Sequence, residues 1–190
     1  MLWSPAKPMS TFDQECLASG KRLFTVLGGA AGVTETIMPD LYKQLGLGGF
    51  FRRRMPEDVG VKTTIEVWAY LAALFVCLVE TWPTRPGPEA VARIITILEG
   101  AALDAHRINH RPEYEAYRLR FRTGRSSMGV PDSRLFGPMN GIHSEFTVRL
   151  AVIWAVPPRR SQEFLEASSR LTEALEGRLR DGIQTVWPRA

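Results

Sequence analysis

Thirteen consecutive apolar residues, "VWAYLAALFVCLV" at 67–79, lie between Glu66 and Glu80 and limit what the chain can become. A helix needs about 20 such residues to cross a bilayer, so a run of this length reads as a buried core helix. Every other element must then be arranged around it. Pro83 and Pro86 end the run, and Pro88 with Glu89 beside it has the form of a fresh helix start. From there Val91, Ile94, Ile95, Leu98, Ala102 and Ala105 recur at threes and fours, which predicts an amphipathic helix over 88–108.

On the N-terminal side, Pro5 and Pro8 make residues 1–9 an extended arm. Ser10 or Thr11 is placed to cap a helix carrying Phe12, Cys16, Leu23 and Leu27, with a stop expected at Gly28-Gly29. A short second helix is expected over 39–46. "VGVKTTIEV" then alternates Val59, Val61, Thr63, Ile65 and Val67, the period of a half-buried strand.

On the C-terminal side, Pro112 is expected to end the preceding helix, and the period changes to two. Tyr117, Leu119 and Phe121 alternate with Arg118, Arg120 and Arg122, which on a strand would put the three arginines on one face, about 7 Å apart. "EFTVRLAVIWAV" alternates likewise through Phe146, Val148, Leu150, Val152 and Trp154. A Gly- and Pro-rich loop over 124–144 would join these strands, and a last helix capped by Ser161 would carry Phe164, Leu171, Leu175 and Leu179. The expected fold is therefore α+β: a mostly helical single domain over 10–190 with a small antiparallel sheet and a long inter-strand loop.

Charge is unevenly placed. Residues 106–160 hold ten basic and four acidic groups, whereas the segments on either side are nearly balanced. Arg107, Arg111, Arg118, Arg120, Arg122, Arg125 and Arg149 form the candidate anion-binding set. A second cationic feature is "GGFFRRRMP", where Phe50 and Phe51 beside Arg52, Arg53 and Arg54 would make an apolar wedge next to a charged clamp, suited to a membrane or partner contact.

Catalytic and cofactor signatures are weak by comparison. His106 and His110, four apart, are the metal candidates, but no HExxH or cysteine cluster accompanies them. "VLGGAAG" has neither GxGxxG spacing nor a GK[ST] ending, so no cofactor is expected. Ser126, Ser127 and Ser144 have His143 nearby but no GxSxG elbow. Cys16 and Cys77 stand far apart in apolar patterns, and the N-terminus has no apolar h-region, which together favour an intracellular, reducing setting.

The element order from about Val59 to Leu171, with "PEYEAYRLRF", the loop after it and "SEFTVRLAVIWAVPPRRSQEFLEAS", resembles the globular part of rhabdovirus matrix proteins. The resemblance is architectural. The arm lacks PPxY and PTAP motifs and a lysine-rich start, so no residue role carries over. It implies a self-associating, membrane-associated assembly protein that condenses ribonucleoprotein, located in a virion.

The charge pattern by itself leads to a related reading: an interaction protein without catalytic machinery. It would bind an acidic membrane surface or ribonucleoprotein, with no transmembrane span, in the cytoplasm or at the membrane periphery. A nucleic-acid-binding regulator of bacterial type, and a small-molecule pocket protein or enzyme using His106, His110 and His143, are the alternatives.

Overall fold

A computed structural model describes residues 9–47, 54–104, 111–123 and 137–188, and every regular element among them is helical. Six α-helices follow in order. They are α1 (Thr11–Gln44), α2 (Glu57–Thr81), α3 (Pro88–Asp104), α4 (Arg111–Thr123), α5 (Gly137–Ile153) and α6 (Ser161–Val186), with a 3-10 turn at Pro158–Arg160 before the last.

The apolar run forms most of α2, in which residues 66–79 are all buried, and α2 packs against each of the other five helices. It is the one described helix long and apolar enough to cross a membrane, yet 83% of its most apolar window lies inside the molecule. Trp82 closes α2, and its indole N–H donates to the carbonyl of Trp187 at the far end of α6 (3.0 Å).

The expected sheet is absent among the described residues, and each proposed strand is helix. The reason is the same in all three cases: every second alternating residue also falls on a helical line. In α5 the buried apolar side chains are Ile142, Phe146, Leu150 and, just beyond its end, Trp154, a strict four-residue repeat, while Val152 of the alternating set is 62% exposed. In α4, Tyr114, Tyr117 and Arg118 point inward at spacings of three and four, and Leu119 is half exposed. In α2, Thr63, Glu66, Val67 and Tyr70 are buried but Val61 is not. The order of strands that carried the matrix-protein resemblance is thus an order of helices.

Other boundaries move for local reasons. α1 runs on past Gly28-Gly29 to Gln44 with Pro39 inside it, so the expected two helices are one. Its inward line of Cys16, Leu23, Leu27, Ala30, Thr34, Met38 and Tyr42 passes without a break through both supposed stops. Ser10 does cap it, accepting from the Asp13 N–H at 3.1 Å. Pro112 sits in the first turn of α4, where a missing N–H leaves no helical bond unmade, so it opens a helix and does not close one. Ser161 begins α6 but makes no side-chain cap; the cap position is Arg160, whose guanidinium pairs with Glu163 at 2.6 Å. The inter-strand loop of 124–144 is helix from Gly137 onward.

Two glycines let α1 approach its neighbours closely. A Cβ on Gly20 would stand 2.9 Å from Cγ2 of Ile97 in α3, and one on Gly182 in α6 would overlap Val26 of α1.

Candidate functional site

Arg118 and Arg120 of α4 and Arg149 of α5 turn inward. Arg118 is 1% exposed; its Nη1 donates to Glu80 Oε2 at 3.0 Å and to Cys77 Sγ at 3.0 Å, and its Nη2 donates to Glu80 Oε1 at 2.5 Å. Burial opposes its charge, but the Glu80 bond and the neighbouring Cys77, Tyr114 and Glu80 together raise its pKa above the usual guanidinium value. The Cys77 thiol is pushed up to about 12 by burial, with Arg118 pulling the other way, so it remains a thiol at any ordinary pH.

Arg149 of α5 lies 3.2 Å from Glu145 and 3.7 Å from Glu66, over the ring of Tyr117. The Tyr117 hydroxyl donates to Glu66, whose pKa is raised by burial, with the Tyr117 bond and Arg149 opposing. Arg120 is 2% exposed and packs against the backbone of Gly141. Three of the seven arginines assigned to anion binding therefore lie within a polar seam joining α2, α4 and α5, and the expected open row of Arg118, Arg120 and Arg122 does not exist. Arg111 and Arg122 are exposed, and Arg111 pairs with Glu115 at 3.8 Å. Arg107, Arg125, His106 and His110 lie outside the described residues.

His143 is at the edge of this seam. Its Nδ1 meets the Tyr70 hydroxyl at 2.8 Å and its Nε2 meets Glu176 Oε2 at 2.7 Å, so one ring ties α2, α5 and α6 together. Both nitrogens are engaged, and among the described residues no serine or threonine hydroxyl hydrogen-bonds to the ring, so no nucleophile–base pair is seen there among them. No group of three or more potential metal ligands converges among the described residues.

A cavity lies elsewhere, where the end of α1 faces the start of α2. Its volume is about 760 Å³, within the range of ligand pockets. Apolar atoms of Pro39, Met55, Pro56 and Val61 supply the walls, and Gly60 leaves the floor open, since an added Cβ there would reach only Met55 Sδ at 3.9 Å. An inner recess of about 120 Å³ continues past Thr63, Thr64 and Met38 to Glu35, which is fixed by the indole N–H of Trp68 at 2.8 Å. Pro39 has no N–H, so the Glu35 carbonyl loses its helical donor on this wall.

Lys43, in the last turn of α1, and Arg54 stand on the rim with Asp40 and Glu57. Both cations are exposed, and neither makes an ion pair among the described residues. Of the proposed contact segment, Arg54 is thus placed at a cleft, while Phe50, Phe51, Arg52 and Arg53 lie outside the described residues. Sequence reasoning missed Lys43, Pro39 and Gly60. The readable signal was a proline and a lysine within an unbroken helical line that ends just before "GGFFRRR". Comparison of the chain with protein-family models, with curated proteins and with solved structures finds no match in any of the three.

Proposed function

We propose that this chain is an interaction protein that docks on acidic membrane surfaces by taking an anionic amphiphile into the cleft between α1 and α2. The observation that carries this reading is the cleft itself: a mostly apolar recess of about 760 Å³ whose rim holds Lys43 and Arg54 without ion-pair partners among the described residues. An acyl chain suits the walls of Met55, Val61 and Pro39, and each buried methylene contributes about 0.8 kcal/mol. A phosphate or carboxylate headgroup suits the two cations, and Arg54 follows directly on Arg52 and Arg53 in the chain. The inward turn of Arg118 and Arg149 moves the weight of the charge argument from the 106–160 block to this rim.

Co-sedimentation with acidic and with neutral vesicles, at low and high salt, is the test. Binding is expected to acidic vesicles only and to weaken as salt rises. At about 1 kcal/mol per surface cation, Lys43→Gln with Arg54→Gln should weaken it roughly 30-fold. Gly60→Leu should fill the floor and reduce binding without removing a charge, while leaving the fold at least as stable because glycine is the poorer helix former. Acidic-vesicle binding that survives both changes would place the contact elsewhere. Binding to single-stranded RNA in the absence of vesicles, sensitive to the same two cations, would overturn the lipid reading.

A further inference from the structure

We infer that the groove between α5 and α6, remote in chemistry from the cationic cleft, is a binding site for a small organic amine with a short apolar body. Its volume is about 400 Å³. One wall carries His143, Ser144 and Thr147 of α5; the other carries Ser169, Thr172 and Glu173 of α6.

No lysine or arginine lines it among the described residues, and Glu176, one turn along α6 from Thr172, bonds His143 of its wall. Glu176 is committed: it accepts from His143 at 2.7 Å and from Arg180 Nε at 2.6 Å, and these bonds hold its pKa below the usual carboxylate range. Glu173 is not. It is exposed, and its Oε1 accepts only from Ser169 at 3.1 Å, leaving Oε2 for a ligand. Ser144 is half-buried on the opposite wall and makes no hydrogen bond among the described residues, so its hydroxyl is available as well. Thr147 is held by Ser168 at 2.7 Å, and His143 by its two partners, so these form fixed wall.

The remaining lining is apolar. Val148 is half-buried, and Leu165 is 54% exposed although it lies on the groove. A carboxylate, a free hydroxyl and an apolar end, with no cation, select an ammonium joined to a short hydrocarbon. An anion would meet the Glu173 carboxylate with no lysine or arginine in the lining to offset the repulsion.

The full-length protein would be titrated with phenethylamine at neutral pH, and with phenethyl alcohol and 3-phenylpropionate as matched neutral and anionic probes. The readout is the methyl NMR signals of Leu165 and Val148. The amine should shift both methyl signals, the alcohol more weakly, and the carboxylate not at all. Glu173→Gln should weaken the amine about fivefold, as expected for a largely solvated ion pair, and leave the alcohol unchanged. Ser144→Ala should weaken both amine and alcohol. Equal binding of amine and carboxylate, an amine affinity indifferent to Glu173→Gln, or no shift with any probe would each overturn the assignment. Because Glu173 and Ser144 support no core contact, neither change threatens the fold.

Discussion

Arg118 shows how a charge enters the interior of this bundle. Its guanidinium is nearly sealed from solvent, and Glu80, still about a third exposed, supplies two of its three acceptors. Losing one partner of such a pair leaves the other poorly solvated and is costly, whereas replacing both can be nearly neutral. Arg118→Met should therefore destabilise the protein by about 3 kcal/mol in urea unfolding, and Arg118→Met with Glu80→Leu should recover part of that loss. Strict additivity of the two changes would mean that the pair is not coupled. Glu176 gives a second expectation, on pH. The His143 bond holds its carboxyl below the usual carboxylate range, with Arg180 adding to this and burial opposing. A depressed folded pKa contributes stability that is present above the ordinary carboxylate value and is lost as pH falls through the folded one. Glu66 works with the opposite sign: its raised pKa costs stability above the folded value, a cost relieved as the group protonates. The difference between wild type and Glu176→Gln isolates the first effect. Urea midpoints taken from pH 6 downward should fall less steeply in the variant across the acid limb; parallel curves would remove Glu176 from the acid response.

At the scale of an element, helix ends and helix faces differed sharply in how well the chain announced them. The stop after Trp82, the start at Pro88 and the cap at Ser10 were legible because proline and serine act through local backbone chemistry. The strands were misread because alternation over five or six residues is compatible with both periods. Only the longer line Ile142, Phe146, Leu150, Trp154 separates them, and its first member lay inside what read as a loop. The arginine face could not be read at all. Whether Arg118 points out or in depends on Glu80, 38 positions earlier, meeting it across the α2–α4 packing. One helix end also departs from the usual chemistry. α5 closes with Val156 N–H bonding to Ala151 O at 3.0 Å and Ala155 N–H to Val152 O at 3.1 Å, with Ala155 at φ 48°. α1 closes in a similar way, but with Gly46 at φ 65°. A left-handed alanine is strained by about 1 kcal/mol where glycine is not, so Ala155→Gly should raise the unfolding free energy by about that amount and Gly46→Ala should lower it similarly. Thermal or urea midpoints moving the other way would show that these turns are held by something other than the backbone.

For the whole molecule the constraint is that α2 touches every other helix, so no subset of elements can cover it. α6 packs against α1 along most of its length, reaches α2, and fixes Trp82 through Trp187. Its inward residues Phe164, Leu175, Leu179 and Ile183 are at most 3% exposed, and removing them would open one flank of α1 and the end of α2 together. A chain ending at Pro157 should accordingly lose its sharp urea transition and bind a hydrophobic dye while keeping much of its helical circular dichroism, the behaviour of a compact state without fixed packing. It should also change how the protein meets a membrane. The intact molecule hides its most apolar window and is expected to need acidic headgroups at Lys43 and Arg54. The shortened chain would present apolar surface directly, and apolar burial is indifferent to headgroup charge. It should therefore sediment with neutral and acidic vesicles alike, with little salt dependence. Retention of acidic-only, salt-sensitive binding by the shortened chain would show that α2 stays covered without α6, and that the bundle closes through α1, α3, α4 and α5.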